Sequence, residues 1–261
     1  MFRGLWQYRY FVLSSIRNEM VSRFVRSKLG GLWMIINPLS QVLIYALILS
    51  NVLAAKLPGI DSQYAYAIYL MAGLLAWTLF GEIVGRCLNL FIEQGNLMKK
   101  MNFPRITLPS IVVGSCLLNN TLLFICMLGI FALLGHQFNV VMFWLIPLTF
   151  IVLLFAMGTG LILGLMNVFL RDISQVVPIM LQMLFWFTPI VYPVTIIPEA
   201  YRHWLNLNPI YPLTNAYQQI IVYGNSPQWE SLINIAVITL LLLGLSLFLF
   251  RRASAELLDV L

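Results

Sequence analysis

The chain has 261 residues, of which 61% are hydrophobic and only 9% are charged. This composition excludes an ordinary soluble fold, because a soluble protein needs many more polar side chains to cover its surface. The net charge of +6 does not indicate a nucleic-acid-binding protein, since the basic residues flank apolar runs, where they orient membrane helices. We therefore predict one all-α transmembrane domain over residues 1–261, with six spans and both termini in the cytoplasm.

Residues 1–31 are predicted to form an amphipathic helix that lies on the membrane surface. Basic residues are frequent here, and apolar residues recur at three- and four-residue spacing at Leu13, Ile16, Met20 and Phe24. This spacing places the apolar side chains on one face of a helix and leaves the basic ones to meet anionic headgroups. A disordered basic tail is the alternative interpretation.

Residues 32–193 are predicted to contain five spans, of which the first two cover residues 32–54 and 64–91. The first span has no charged residue, and the second has only Glu82 and Arg86. These two residues are four apart and share one helical face, where an ion pair lowers the cost of each charge in lipid. We interpret the pair as structural and close to the cytoplasmic rim of the membrane. A gate or relay is the alternative.

A polar segment at residues 93–105 separates the second span from the third and carries Lys99, Lys100 and Arg105. No Asp, Glu, Lys or Arg occurs between positions 106 and 170, a length that requires two helices. His136, among polar neighbours, marks the turn between these two spans.

The fifth predicted span follows Arg171 and Asp172, which we place at the cytoplasmic rim. It starts near Ser174 and ends at Pro189 and Pro193, because proline cannot continue a helix ladder.

Residues 194–228 are rich in apolar and aromatic residues but contain repeated prolines, which exclude one regular span. We predict short re-entrant helices that dip into the outer leaflet. The sixth span covers residues 229–250, and residues 251–261 form a cytoplasmic tail. This topology places every Lys and Arg except Lys56 and Arg202 on one side, which the positive-inside rule makes cytoplasmic.

The sequence contains no evident means of capturing energy for transport. Glu82 is the only acid well inside a predicted span, so ion coupling is poorly supported. No lysine has the glycine and Ser or Thr neighbours of a phosphate-binding loop. The two histidines, His136 and His203, are isolated, so neither a metal site nor a membrane enzyme is indicated. If this chain transports directionally, its motor is a separate protein.

Aromatic residues are abundant, and flat amphipathic rings suit a sugar polymer, whose C–H faces alternate with hydroxyl groups. Interfacial anchoring and helix packing are the alternatives for the same residues. The candidates for lining a polysaccharide channel are Trp33, Trp77, Phe185, Trp186, Phe187 and Tyr192.

Four blocks, in order along the chain, resemble the permeases of polysaccharide exporters in the type-2 ABC transporter family. The pattern is most similar to O-antigen exporters of the Wzm kind, and capsule and teichoic-acid permeases share the layout. The blocks are Ser27-Lys-Leu-Gly-Gly-Leu-Trp33 with Asn37-Pro38; Asn96-Leu-Met-Lys-Lys-Met-Asn-Phe-Pro-Arg105; Arg171-Asp-Ile-Ser-Gln-Val-Val-Pro178 with Phe187-Thr-Pro-Ile-Val-Tyr-Pro193; and Asn208-Pro-Ile-Tyr-Pro212 with Ala216-Tyr217 and Tyr223-Gly224.

The resemblance implies a homodimer in the bacterial inner membrane, joined to two copies of a separate ATPase that holds ATP and magnesium. The implied substrate is a lipid-linked polysaccharide, and neither a cofactor in this chain nor a nucleic-acid partner is expected. A drug or lipid exporter and a passive membrane scaffold are the rival functions. The implied contacts with the ATPase are Asn96, Lys99, Lys100, Phe103, Pro104 and Arg105, and the implied gate contains Pro209, Tyr211, Pro212 and Tyr217.

Overall fold

A computed structural model describes residues 6–22, 27–44, 64–100, 104–136 and 139–253, and it contains helices and no strand in these ranges. The all-α prediction is therefore confirmed for the described part of the chain. The helices are α1 (Arg9–Ser22), α2 (Trp33–Ile44), α3 (Ala65–Glu93), α4 (Gly95–Lys100), α5 (Thr107–Leu133), α6 (Leu145–Phe169), α7 (Ile173–Phe187), α8 (Glu199–Arg202), α9 (Tyr211–Tyr223) and α10 (Trp229–Ala253).

Four described helices, α3, α5, α6 and α10, are long and apolar enough to cross a membrane, and they match the second, third, fourth and sixth predicted spans. The helices at the first and fifth predicted spans are shorter: α2 has 12 residues and α7 has 15. At 1.5 Å per residue they cover roughly 18 Å and 22 Å, less than the ~30 Å of a hydrocarbon core. The second half of the predicted first span lies outside the described residues.

Helix α3 is the centre of the bundle and is the most deeply buried of the long helices. It packs against α5, α6, α7 and α9, and most of its side chains are inaccessible. Its closest neighbour is α6, which approaches through Gly160 and Gly164. A Cβ on Gly160 would lie 2.8 Å from the Cβ of Cys87, and one on Gly164 would collide with the backbone oxygen of Cys87. Small residues four apart thus let two helix backbones meet, as in many membrane proteins.

The described helix ends form groups at two opposite ends of the bundle. The C-terminal end of α10 lies beside that of α3, because the rings of Phe91 and Phe250 are 5.8 Å apart. The end of α6 joins them, since the Asn167 amide donates to the carbonyl of Leu88 at 2.9 Å. At the opposite end, the hydroxyl of Tyr66 at the start of α3 donates to the backbone oxygen of Val191, just beyond α7.

Helix α1, which was predicted to lie on the membrane surface, packs against α5. Of the apolar stripe predicted from the sequence, Ile16 and Met20 are buried, whereas Leu13 is exposed. Phe24 lies outside the described residues. The Ile16 side chain sits over Gly114 of α5, where any Cβ would collide with it. One half of the predicted membrane-facing stripe therefore binds protein.

The predicted irregular segment between α7 and α10 consists of short pieces: single turns at 194–196 and 203–207, the four-residue α8, and α9. Helix α9 ends at Gly224, whose φ of +65° is the left-handed conformation that glycine adopts readily. Its Tyr217, Ile220 and Ile221 are buried, and it packs on α3.

Candidate functional site

The short helix α4, in the polar segment after α3, presents its two lysines outward. In α4 the side chains of Asn96, Lys99 and Lys100 are exposed, while Met98 is buried against the bundle. The short helix is therefore anchored by an apolar side chain and offers two adjacent positive charges at the surface.

Pro104 and Arg105 connect α4 to α5, and Phe103 of the same predicted group lies outside the described residues. The carbonyl of Pro104 accepts hydrogen bonds from the backbone N–H of Thr107 at 2.9 Å and from its hydroxyl at 2.8 Å. Arg105 is half-buried, and its Nη1 atom is buried with no hydrogen-bond partner in the described part of the chain.

The predicted pair of Glu82 and Arg86 belongs to a larger ion cluster that joins α1, α3 and α5. Arg86 Nη1 lies 3.8 Å from Glu82 Oε1, as the spacing predicted. The shorter contact is with Glu19 of α1, whose Oε1 is 2.5 Å from Arg86 Nη2. The other oxygen of Glu19 accepts a hydrogen bond from Ser115 at 2.7 Å, and Glu82 accepts one from Asn119 at 3.1 Å.

Glu19 is the member of this cluster that sequence reasoning missed. It is the only acidic residue in the first 31 positions, among many basic ones. An isolated acid on the buried side of a basic helix, three residues from Ile16, is the signal that could have found it. Its side chain is 25% exposed, so the pair with Arg86 is partly shielded from solvent.

Arg171 and Asp172, the other residues predicted at the rim, are exposed in the turn between α6 and α7. Asn167, which is fully buried near the end of α6, stabilises this turn. Its Oδ1 accepts a hydrogen bond from the backbone N–H of Ser174 at 3.1 Å, and its Nδ2 also lies 3.1 Å from Asn89 Oδ1. A buried amide thus ties the ends of α3, α6 and α7 together.

Most of the aromatic residues predicted to line a channel lie close together near the end of α7. Trp77 and Phe185 have ring centroids 5.5 Å apart, and Phe185 and Trp186 5.4 Å apart. The Tyr192 hydroxyl donates to the backbone oxygen of Trp186 at 2.6 Å. Trp186 and Phe187 are both more than half exposed.

Trp33 is separate from this group and makes no ring contact within the described residues. Its indole N–H donates to the hydroxyl of Ser27 at 2.9 Å, which fixes the ring at the start of α2.

The predicted gate is built around the turn that follows α7. Tyr69 donates to the carbonyl of Pro189 at 3.2 Å, and Gln218 of α9 donates to the same oxygen at 3.0 Å. Asn208 donates to the hydroxyl of the buried Thr188 at 2.8 Å.

Of the residues predicted for the gate, Pro209, Tyr211 and Pro212 are half-buried. Tyr217 is buried, and its hydroxyl lies 2.6 Å from that of Thr149 on α6. That position makes Tyr217 a packing residue between α9 and α6 in this conformation.

Comparison with known proteins adds a family and several relatives. Residues 11–222 match the family described as ABC-2 type transporter. The chain is 30% identical to the O-antigen export system permease protein RfbA of Myxococcus xanthus, over 97% of this chain and 96% of that protein. It is 28% identical to an RfbA protein of the same description from Klebsiella pneumoniae, over 92% of each. It is 25% identical to the polysialic acid transport protein KpsM of Escherichia coli, over 89% of each.

Proposed function

The chain belongs to the ABC-2 type transporter family, and from this premise we propose that it is the permease subunit of an ATP-driven exporter. Its substrate is a lipid-linked O-antigen or a related polysaccharide, moved from the cytoplasm to the periplasm. The observation that carries the proposal is similarity over nearly the whole chain to permeases named for O-antigen export. A capsule-type polymer is the second candidate substrate, since a polysialic acid transport protein is also similar.

The orientation of the permease follows from its charges. Lys99, Lys100 and Arg105 lie at the same end of the bundle as the turn with Arg171 and the end of α10 with Arg251. This end is the cytoplasmic one by the positive-inside rule, and the turn after α7 is periplasmic. The protein resides in the bacterial inner membrane with six spans and both termini in the cytoplasm.

Energy reaches this chain from two copies of a separate ATPase, which hold ATP and magnesium. The contact is at α4 and the residues that follow it: Asn96, Lys99, Lys100, Phe103, Pro104 and Arg105. Support comes from the exposed side chains of Lys99 and Lys100 on α4.

The export channel lies between two copies of this chain. One protomer leaves large aromatic side chains uncovered near the end of α7, where Trp186 and Phe187 are 57% and 66% exposed. Rings at the wall of a channel give a sugar polymer apolar surfaces to slide on without strong hydrogen bonds. The turn after α7 and α9 form the periplasmic gate.

A deletion strain tests this function. Without the chain, lipid-linked polysaccharide should accumulate on the cytoplasmic side of the inner membrane and disappear from the cell surface. A plasmid-borne copy of the gene should restore the surface polysaccharide. Normal surface polysaccharide in the deletion strain would contradict the proposal. Loss of the polysaccharide from both places would instead favour a scaffold that recruits enzymes of envelope synthesis.

A further inference from the structure

A polar cavity of about 310 Å³ lies between α2, α3 and α5, apart from the aromatic group near the end of α7. It lies beside the middle of α3, at Thr78, the middle of α5, at Asn120, and the first turns of α2, which start at Trp33. Six polar side chains line it: Asn37, Gln41, Thr78, Glu82, Asn119 and Asn120. Its volume is at the lower limit of the ~300–1,000 Å³ typical of ligand pockets.

The hydrogen bonds in this cavity are incompletely satisfied on the side of α2. On the opposite wall, Asn119 donates to Glu82 at 3.1 Å and Asn120 donates to the carbonyl of Leu75 at 2.8 Å. Asn37, which is exposed, and Gln41, which is half-buried, make no hydrogen bond within the described part of the chain. They are four residues apart and share one face of α2. Amides without a hydrogen-bond partner on an apolar helix are costly in a membrane and mark a place where water or a ligand binds.

The side chains that line the cavity determine which kind of ligand fits it. Amides both donate and accept hydrogen bonds, as hydroxyl groups require. At one side of the cavity, Trp33 supplies a flat apolar ring and Pro38 an aliphatic one. Glu82 places a carboxylate in the wall, which disfavours a phosphate or another anion. A neutral, hydroxyl-rich ring fits these requirements.

A second cavity shows that polarity is not general in this bundle. Between α5 and α6 a cavity of about 520 Å³ is lined by Leu117, Phe124, Phe150 and similar residues. The lining of this cavity offers dispersion contacts and almost no hydrogen-bonding groups, so it suits an acyl chain. The amides in the cavity between α2, α3 and α5 therefore distinguish that cavity from an ordinary lipid site.

We propose that the cavity between α2, α3 and α5 binds one neutral sugar unit of the exported polymer during its passage. Asn37 and Gln41 bind its hydroxyl groups, and Trp33 covers one face of the ring. The proposal rests on the proposed export function and adds a binding site for the polymer at α2.

Photo-crosslinking in cells that make the polymer tests the site directly. A benzophenone amino acid replaces Met34, which lines the cavity, or the adjacent Ile35, which is 51% exposed and does not line it. After irradiation, mass spectrometry of the peptide that contains the label should detect an adduct with the cell's own glycan at position 34 and none at position 35. A phospholipid adduct alone at position 34, or equal glycan adducts at both positions, would overturn the proposal.

Substitution of the two amides tests the same site by function. The double variant Asn37→Leu and Gln41→Leu keeps the side-chain size and should lower the export rate by about tenfold, as expected for two lost hydrogen-bonding groups. The matched control is Asn234→Leu, which removes an exposed amide from α10 far along the chain and should export normally. An unchanged rate in the double variant would overturn the sugar site and leave the exporter intact. Unchanged surface polysaccharide after deletion of the chain would instead overturn the exporter.

Discussion

At the scale of single residues, Glu19 connects α1 to α3 and α5. Both of its carboxylate oxygens are used, one by Arg86 of α3 and the other by Ser115 of α5. Hydrogen bonds that involve a charged partner contribute more than neutral ones, so this residue fixes the position of α1 against the bundle. If α1 moves, either these hydrogen bonds break or Arg86 and Ser115 move with it.

The variant Glu19→Gln should lower the free energy of unfolding by about 1–2 kcal/mol, since it weakens one charged hydrogen bond in a partly shielded site. A thermal unfolding curve of the purified protein in detergent measures the change. Glu199→Gln is the matched control, because Glu199 pairs with Arg202 at 3.8 Å but is 91% exposed. Equal unfolding temperatures for both variants would show that the cluster does not hold α1.

At the scale of helices, the contact between α3 and α6 depends on Gly164. The residue meets the backbone of Cys87, and one added methyl group has no space there. Gly164→Ala should therefore force the helices apart and lower the free energy of unfolding by about 1–3 kcal/mol. Thermal unfolding in detergent is the measurement.

Gly244→Ala is the control for this prediction. Gly244 is also inside a long helix, α10, but nothing lies within 4 Å of an added Cβ. Alanine should be neutral or slightly stabilising there, because it favours helix more than glycine does. If Gly164→Ala and Gly244→Ala change the free energy of unfolding equally, close packing at Gly164 does not explain the change.

The helix α4 should carry the contact with the ATPase. Reversing its charges with Lys99→Glu and Lys100→Glu should abolish surface polysaccharide and prevent the ATPase from co-purifying, while the protein remains in the membrane. Arg251→Glu with Arg252→Glu provides a control of equal charge change at the end of α10. Wild-type export with reversed charges on α4 would contradict the assignment.

At the scale of the whole molecule, the exposed rings near the end of α7 have a role only if two copies enclose a channel. Replacing Trp186 and Tyr192 by alanine should then slow export or shorten the polymer, which gel electrophoresis of surface polysaccharide measures. Phe248→Ala removes a ring that is 59% exposed on α10 and should have no effect. Normal polymer length in the double variant would make Trp186 and Tyr192 packing or anchoring residues.

Much of this architecture was predictable from hydropathy, because helices that cross lipid need long apolar runs. Helices α3, α5 and α10 begin and end within a few residues of the predicted spans. The pairing of Glu82 with Arg86 was also predictable, since it depends only on spacing within one helix.

Contacts between distant segments were not predictable in the same way. Glu19 meets Arg86 across 67 positions of the chain, and Gln218 meets Pro189 across 29. Hydropathy contains no information on which helices are neighbours, so the ion cluster and the bonded turn after α7 required the structure. The polar cavity could not be predicted for the same reason, because its polar side chains come from three helices.

The central claim is that this chain moves a polysaccharide across a membrane with energy from a separate ATPase. Its most direct test is transport by the purified permease–ATPase complex in sealed vesicles, with radiolabelled lipid-linked polysaccharide in the outer leaflet and the ATPase facing outward. ATP, but not a non-hydrolysable analogue, should make the label resistant to an added glycosidase, because the polysaccharide then enters the vesicle lumen. Label that stays equally accessible with and without ATP, in vesicles whose ATPase is active, would contradict it.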